Sequence, residues 1–251
     1  MVSESEIAEF ELLTSHYWPA REIVSYKGWV IQWNDGITWR ANSVLPNEWD
    51  GTVEVERVVD YVIEMYKEKN TLPAFKMTSV SQPRGLDELL EKKGFVKRMV
   101  THVQTVAIQE LSCLDPHQPV DLFEVNSESL NVLMHQSERE REEIEGRKGI
   151  INRIEGAKNI ARVMMHGRIA GVGLGVVQKS LLGFFSIRTI PEFRRRGAAW
   201  SVSCALAKWG EDIGASRAFL QVEAENKAAL NLYKAMGFET LYTYWYRILE
   251  I

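Results

Sequence analysis

Arg194, Gly197 and Ala199 stand in Pro191-Glu-Phe-Arg-Arg-Arg-Gly-Ala-Ala-Trp200, between an apolar run that reads as a strand and one that reads as a helix. A turn of this kind can hold an anion. Glycine and alanine let the backbone approach a ligand closely, and the free N–H groups of a helix's first turn point at whatever negative group sits there. The consecutive arginines Arg194, Arg195 and Arg196 add charge-assisted donors, and Ala198 shares the first helical turn. Further on, the stretch Leu220–Phe238 reads as strand, helix and glycine stop, with Asn226 and Tyr233 on the helical part. A phosphate cradle followed by a phenol points to acyl transfer.

The elements that must position these groups are legible from period and punctuation. Lys158–Met165, Arg168–Gln178 and Leu181–Ile190 are strand candidates separated by Gly167 and by Lys179-Ser180, an antiparallel meander. Helix Arg195–Ile213, strand Ala218–Val222, helix Lys227–Met236 and strand Glu239–Arg247 complete the C-terminal half. A strand at Asp121–Val125 and a helix at Leu130–Gln136, which Ser127, Glu128 and Ser129 can cap, open that half. In the N-terminal half, a helix near Glu6–Ser15 precedes two strands, Gly28–Trp33 and Ile37–Val44, joined by the hairpin signal Asn34-Asp35-Gly36. Val53–Lys69 has helical spacing, Pro73–Val80 reads as a strand, Leu86–Lys93 as a helix stopped at Gly94, and Phe95–Ile108 as a long strand. The fold class is a mixed α/β layer fold.

Leu89-Leu-Glu-Lys-Lys-Gly-Phe95 parallels Leu232-Tyr-Lys-Ala-Met-Gly-Phe238, and a long strand follows each. The pattern suggests tandem copies, residues 1–110 and 120–251, joined by a proline-bearing linker at 111–119. Leu90 stands where Tyr233 stands, and Leu45-Pro-Asn-Glu-Trp-Asp-Gly51 replaces the arginine and glycine turn, so the first copy lacks both chemical features. A chance recurrence of helix, Gly-Phe and strand is the competing explanation.

Composition narrows the class. Hydrophobic residues make up 45% and charged residues 25%, ordinary for a globular chain of 251 residues. The net charge of -4 argues against a general polyanion binder, so no nucleic-acid partner is expected. Cys113 and Cys204 stand outside any CxxC or Cys/His cluster, which predicts neither a disulfide framework nor a metal site. No basic leader with an apolar run is present, and no segment reaches the length of a membrane span; a soluble cytoplasmic protein without a membrane partner is expected. Gly171-Val-Gly-Leu-Gly175 imitates a dinucleotide fingerprint but is followed by strand where a helix is required.

Arg194-x-x-Gly197-x-Ala199, followed by Asn226, Tyr233 and Gly237-Phe238 in that order, resembles the GNAT superfamily of acyl-CoA-dependent N-acetyltransferases. The likeness covers the C-terminal half well, and the N-terminal half resembles a degenerate copy. It implies acetyl-CoA as acyl donor, bound between two splayed parallel strands, here Leu181–Ile190 and Ala218–Val222. Ile187, Arg188 and Thr189 would offer backbone partners to the pantetheine amides, much as a strand edge pairs an added peptide. Arg194, Arg195, Arg196, Gly197, Ala198 and Ala199 would hold the pyrophosphate, and Asn226 would bond the pantetheine arm or position Tyr233. Tyr233 would be the general acid that protonates the departing thiolate, and a backbone N–H near Thr189 would stabilise the tetrahedral oxyanion.

The resemblance breaks at the base. Gln221 occupies a position where glutamate often stands in members that acetylate protein N-termini, and an amide cannot take a proton. Glu223, two residues on and on the same strand face, is the nominated base, with Glu192 or a water chain as rivals. The expected reaction is direct attack of a primary amine, small-molecule or peptide, on the acetyl group by a monomer or homodimer. The alternative is a non-catalytic acyl-CoA-binding regulatory module in which Gln221 marks a lost base. Tyr233 as a plain core aromatic, the arginines as a solvated surface cluster, and Ser137–Arg147 as a solvated helix with Arg139–Glu143 and Arg141–Glu145 pairs are the structural readings of the same residues.

Overall fold

The computed structural model describes residues 2–135 and 139–250. The chain gathers into two compact units. The first unit comprises the stretch up to His102, Arg141–Ile154 and the stretch from Tyr242; the second comprises Val103–Glu140 and Glu155–Leu241. Among the described residues, no helix is long and apolar enough to cross a membrane.

The first unit contains α1 (Glu4–Ser15), β1 (Glu22–Tyr26), β2 (Trp29–Trp33), β3 (Val44–Leu45), α2 (Val55–Glu68), β4 (Ala74–Thr78), α3 (Leu86–Lys92) and the start of β5 (Val96–Ala107). Its apolar core sets Val58, Val59, Val62 and Tyr66 of α2 against Trp29, Ile31, Phe75, Met77 and Phe95 of the strands. The expected hairpin through Asn34-Asp35-Gly36 does not form. The hairpin closes one turn earlier, at Lys27-Gly28, and pairs β1 with β2 from Tyr26↔Trp29 to Glu22↔Trp33. Beyond Trp33 the side chain of Asn42 replaces the ladder. Its Oδ1 accepts from Asn34 N (2.7 Å) and Gly36 N (3.0 Å), and its Nδ2 donates to Ile37 O (2.7 Å) and Thr38 O (2.9 Å). With a longer bond from Nδ2 to Asn34 O at 3.4 Å, five local bonds outcompete strand pairing, so Trp39–Ala41 becomes a 3-10 turn and only Val44 and Leu45 are left to pair.

Two further elements of this unit come from distant sequence. The final strand, β11 (Glu239–Ile248), pairs antiparallel with β4 from Tyr244↔Thr78 to Ile248↔Ala74. It delivers buried Arg247 to α3, where Nη2 and Nε donate to Asp87 at 2.6 and 2.9 Å, and Trp245 Nε1 donates to the same carboxylate at 2.7 Å. Burial would raise the Asp87 pKa, but the Arg247 and Trp245 hydrogen bonds and the charges of Arg247 and Lys97 hold it below the ordinary carboxylate value. Without Asp87 the buried Arg247 guanidinium keeps Glu91 Oε1 and Phe95 O, each at 3.3 Å, so Asp87→Ala should cost about 2 kcal/mol in a urea melt, and Arg247→Met combined with it should recover part of the loss. The wild-type contribution is present above the unfolded carboxyl pKa of about 3.9 and fades as pH falls through the lowered native value.

Helix α6 (Arg141–Arg153) also packs in the first unit. Its Gly146 faces Ile37 so closely that a Cβ there would lie 2.6 Å from Ile37 Cγ1. Glu143 pairs with Arg147 at 2.8 Å, and Glu145 takes Lys148 at 2.9 Å where Arg141 was expected. The start of the expected Ser137–Arg147 helix, and Gln136 at the end of the preceding one, lie outside the described residues.

The second unit is built on the sheet order β5-β10-β9-β8-β7-β6, with β6 (Val120–Glu124), β7 (Ala157–Met165), β8 (Arg168–Gln178), β9 (Leu181–Thr189) and β10 (Arg217–Glu223). The meander forms as expected, antiparallel through β6, β7, β8 and β9. Helix α4 (Ile108–Ser112) occupies the end of the expected strand and the start of the expected linker; α5 (Ser127–Leu133) follows β6. Its cap is Asn126, whose side chain accepts from Glu128 N and Ser129 N, while Ser129 serves as the reciprocal partner of a capping box.

Helix α7 (Ala198–Asp212) lies on β8, and the glycines of Gly171-Val-Gly-Leu-Gly175 explain how. A Cβ at Gly171 would meet Ala198 Cβ at 3.0 Å, one at Gly173 would meet Val202 Cγ1 at 2.6 Å, and one at Gly175 would meet Leu206 Cδ2 at 3.0 Å. Alternate strand positions thus face successive turns of one helix stripe, and each lacks a side chain because the helix side chains sit too close, joined at Gly173 by Ile187 of the next strand. Helix α8 (Lys227–Ala235) ends at Gly237 (φ +87°), with Phe238 N donating to Tyr233 O at 3.0 Å. In the first unit α3 ends at Gly94 (φ +89°), with Phe95 N donating to Leu90 O at the same distance. The two helix stops have one geometry, and Leu90 and Tyr233 hold equivalent places in it.

Candidate active site

Strands β9 and β10 run parallel through three pairs, Arg217↔Leu181, Ala218↔Leu182 and Phe219↔Gly183. The pairing then ends. Strand β9 continues to Thr189 and β10 to Glu223 without a further rung between them, so the two backbones part toward their C-terminal ends and each leaves peptide groups unladdered. A register shift on the β8 side deepens this: Val172 pairs with Arg188 and Leu174 with Phe185, which sets Ser186 and Ile187 opposite the single residue Gly173. Ser186 takes φ +52° in this bulge. Bulges of this type bend a strand and re-aim its peptide groups. Ile187, Arg188 and Thr189 therefore lie on the segment that has left β10. The Arg188 guanidinium is spent elsewhere, donating to Leu133 O at 3.0 Å and to His135 O at the end of α5.

At the end of β9 the chain turns through Pro191–Phe193 and reaches the three arginines. The helix starts at Ala198, three residues later than the expected Arg195, because Arg195 (φ +59°) and Gly197 (φ +80°) both adopt left-handed conformations. This places Arg194, Arg195, Arg196 and Gly197 in a concave turn before the helix, and Ala198 and Ala199 in its first turn, whose N–H groups have no intrahelical acceptor. All three arginines are exposed, and none has an ion-pair partner among the described residues. Three free guanidinium groups at the positive end of a 15-residue helix fit a pyrophosphate.

Residues distant in sequence brace this turn. Trp200 Nε1 donates to Asp115 O (3.0 Å), Gln118 N donates to Ser201 Oγ (2.9 Å), and Gln118 Nε2 donates to Arg196 O (3.1 Å). His117 stacks on Trp200 with centroids 5.1 Å apart and planes 6° from parallel, directly over Gly197. These residues lie in the stretch read as a linker. Their partners are some 80 positions away in sequence, so no local signal could have found them.

Tyr233 is buried and packs edge-on against Phe238 at 5.6 Å. Burial raises the phenol's pKa, so it stays protonated at neutral pH. Its hydroxyl has no hydrogen-bond partner among the described residues, which leaves the proton free to be donated. Asn226 caps α8, its Oδ1 accepting from Ala229 N at 3.1 Å. Glu223 ends β10, exposed and without an ion-pair partner among the described residues, whereas its rival Glu192 is held by Arg168 at 2.6 Å. Among the described residues, no group of three His, Cys, Asp or Glu side chains could hold a metal ion.

The fold is shared with solved structures. The GCN5-related N-acetyltransferase from Kribbella flavida matches with a TM-score of 0.71 at 16% identity, covering 100% of this chain and 97% of its own. A tandem GNAT protein from the clavulanic acid biosynthesis pathway matches with a TM-score of 0.56 at 11% identity, covering 78% of this chain and 70% of its own. The fold is that of the GNAT acyltransferases. In sequence, residues 4–247 match the family described as "Probable histone acetyltransferase Rv0428c C-terminal", and the chain belongs to that family of N-acetyltransferases. The curated relative "Uncharacterized N-acetyltransferase YobR" of Bacillus subtilis (strain 168) is 27% identical over 247 residues, 97% of this chain and 98% of its own length.

Proposed function

We propose that the second unit transfers an acetyl group from acetyl-CoA to a primary amine of a small molecule or peptide by direct attack. The observation that carries this reading is the parting of β9 and β10 after Gly183 next to a turn with three unpaired arginines. The peptide groups of Ile187, Arg188 and Thr189 would pair the pantetheine amides. Arg194, Arg195, Arg196 and Gly197, with the N–H groups of Ala198 and Ala199, would hold the pyrophosphate. Asn226 serves first as the cap that fixes the start of α8 and so the position of Tyr233.

In the transfer step the amine nitrogen bonds to the acetyl carbon and the carbon–sulfur bond breaks. Glu223, directly or through water, takes the proton lost by the amine. Tyr233 gives its proton to the departing thiolate, and a backbone N–H near Thr189 stabilises the tetrahedral oxyanion. The free arrangement of Glu223, against the ion-paired Glu192, supports the choice of base. The equivalent helix stops at Gly94 and Gly237 support descent of the halves 1–110 and 120–251, with 111–119 between them, from one ancestral copy. Both cysteines are free, which suits a reducing cytoplasm.

The test is release of free CoA from acetyl-CoA on addition of amines: a polyamine, amino acids, an aminoglycoside and a lysine peptide. Acetylated product formed above the buffer rate with any of them supports the transferase. Binding of acetyl-CoA with no CoA release across the set would favour a regulatory module instead.

A further inference from the structure

A cleft of about 490 Å³ opens on the second unit beside the C-terminal end of α8, at the edge remote from Asn226 along the helix. Its volume lies within the ~300–1,000 Å³ usual for small-molecule sites. Leu230, Asn231, Lys234 and Gly237 line one side, with Phe238, Glu239, Thr240 and Gln104 completing it. None of these residues belongs to the proposed transfer machinery.

Three polar side chains of different kinds line it. Gln104 is only 6% exposed; its Nε2 donates to Thr240 Oγ1 at 3.1 Å, and its Oε1 is buried with no donor. A buried amide oxygen left so is unfavourable, and a ligand N–H would relieve it. Lys234 and Glu239 are exposed, and neither has an ion-pair partner among the described residues. The cleft therefore offers a buried acceptor, a free cation and a free anion beside the apolar Leu230 and Phe238.

We propose that this cleft binds a free α-amino acid with an apolar side chain. Lys234 takes the carboxylate, Glu239 and Gln104 Oε1 share the N–H groups of the ammonium, and Leu230 and Phe238 receive the side chain. A molecule carrying only one of the two charges satisfies half the site. Leu230, Asn231 and Lys234 belong to the helix that also carries Tyr233, and Phe238, on which the phenol packs, lines the cleft as well.

The full-length protein would be titrated by calorimetry with L-leucine, L-leucinamide, which lacks the carboxylate, and 4-methylpentanoate, which lacks the ammonium. Saturable leucine binding is expected, with each analogue weaker by at least about tenfold, and Lys234→Ala and Gln104→Leu should each weaken leucine by a similar factor. Lys234 is exposed, so its variant should fold as wild type even if a change at Gln104 disturbs packing. No saturable binding of leucine, analogues as tight as leucine, or binding undiminished in Lys234→Ala would overturn the site. The titration needs no acetyl-CoA, so its outcome is independent of the transfer reaction.

Discussion

Exchanging Tyr233 for phenylalanine should lower kcat by about 10²–10⁴ while leaving acetyl-CoA affinity nearly unchanged, the loss usual for a positioned general acid. The substitution removes one oxygen from a buried ring whose edge-on packing against Phe238 persists. No hydrogen bond within the chain is broken, since the hydroxyl has no partner among the described residues, so the melting temperature should hardly move. Burial keeps the phenol protonated above its ordinary value of about 10, so ionisation of Tyr233 should contribute no fall in the wild-type rate below that pH. Steady-state kinetics with calorimetry separates the outcomes. An unchanged kcat would remove Tyr233 from the chemistry, and a lost cofactor affinity would make it a binding residue.

Gly197→Glu should weaken acetyl-CoA binding by at least about 100-fold, and combination with Arg194→Ala should abolish it in the accessible range. Two effects act together. Gly197 has φ +80°, and a Cβ there would lie 2.7 Å from His117 Cβ and Nδ1, so any side chain strains the turn or displaces the His117–Trp200 stack. The carboxylate then adds negative charge where three guanidinium groups await an anion. Gly197→Gln carries the same bulk without the charge, so the difference between the two variants measures the electrostatic part. If both bind acetyl-CoA like wild type and remain folded, the pyrophosphate does not lie at this turn.

The parts of the molecule legible in sequence are those set by short-range physics. The meander, the glycine stops at Gly94 and Gly237, and the strand–turn–helix layout around Arg194–Ala199 follow from period, turn chemistry and helix termini. The loop at 34–42 is not legible because the Asn-Asp-Gly hairpin signal says nothing of Asn42, whose side chain captures five backbone groups from up to eight positions away. The glycines of Gly171–Gly175 could be refused as a nucleotide fingerprint, yet their purpose, the close seating of α7, belongs to tertiary packing. The same holds for His117 and Gln118 at the anion turn, and for Arg188, whose guanidinium holds the end of α5.

The last strand has a consequence for synthesis. Tyr244–Ile248 supply β4 with its antiparallel neighbour and α3 with Arg247, although β4 and α3 are translated some 160 residues earlier. The half of the protein that leaves the ribosome first must wait, with Ala74–Thr78 unpaired on that side, until the closing residues emerge. Stalled or C-terminally clipped chains would then expose a strand edge in their oldest segment, a template for aggregation that the finished protein conceals.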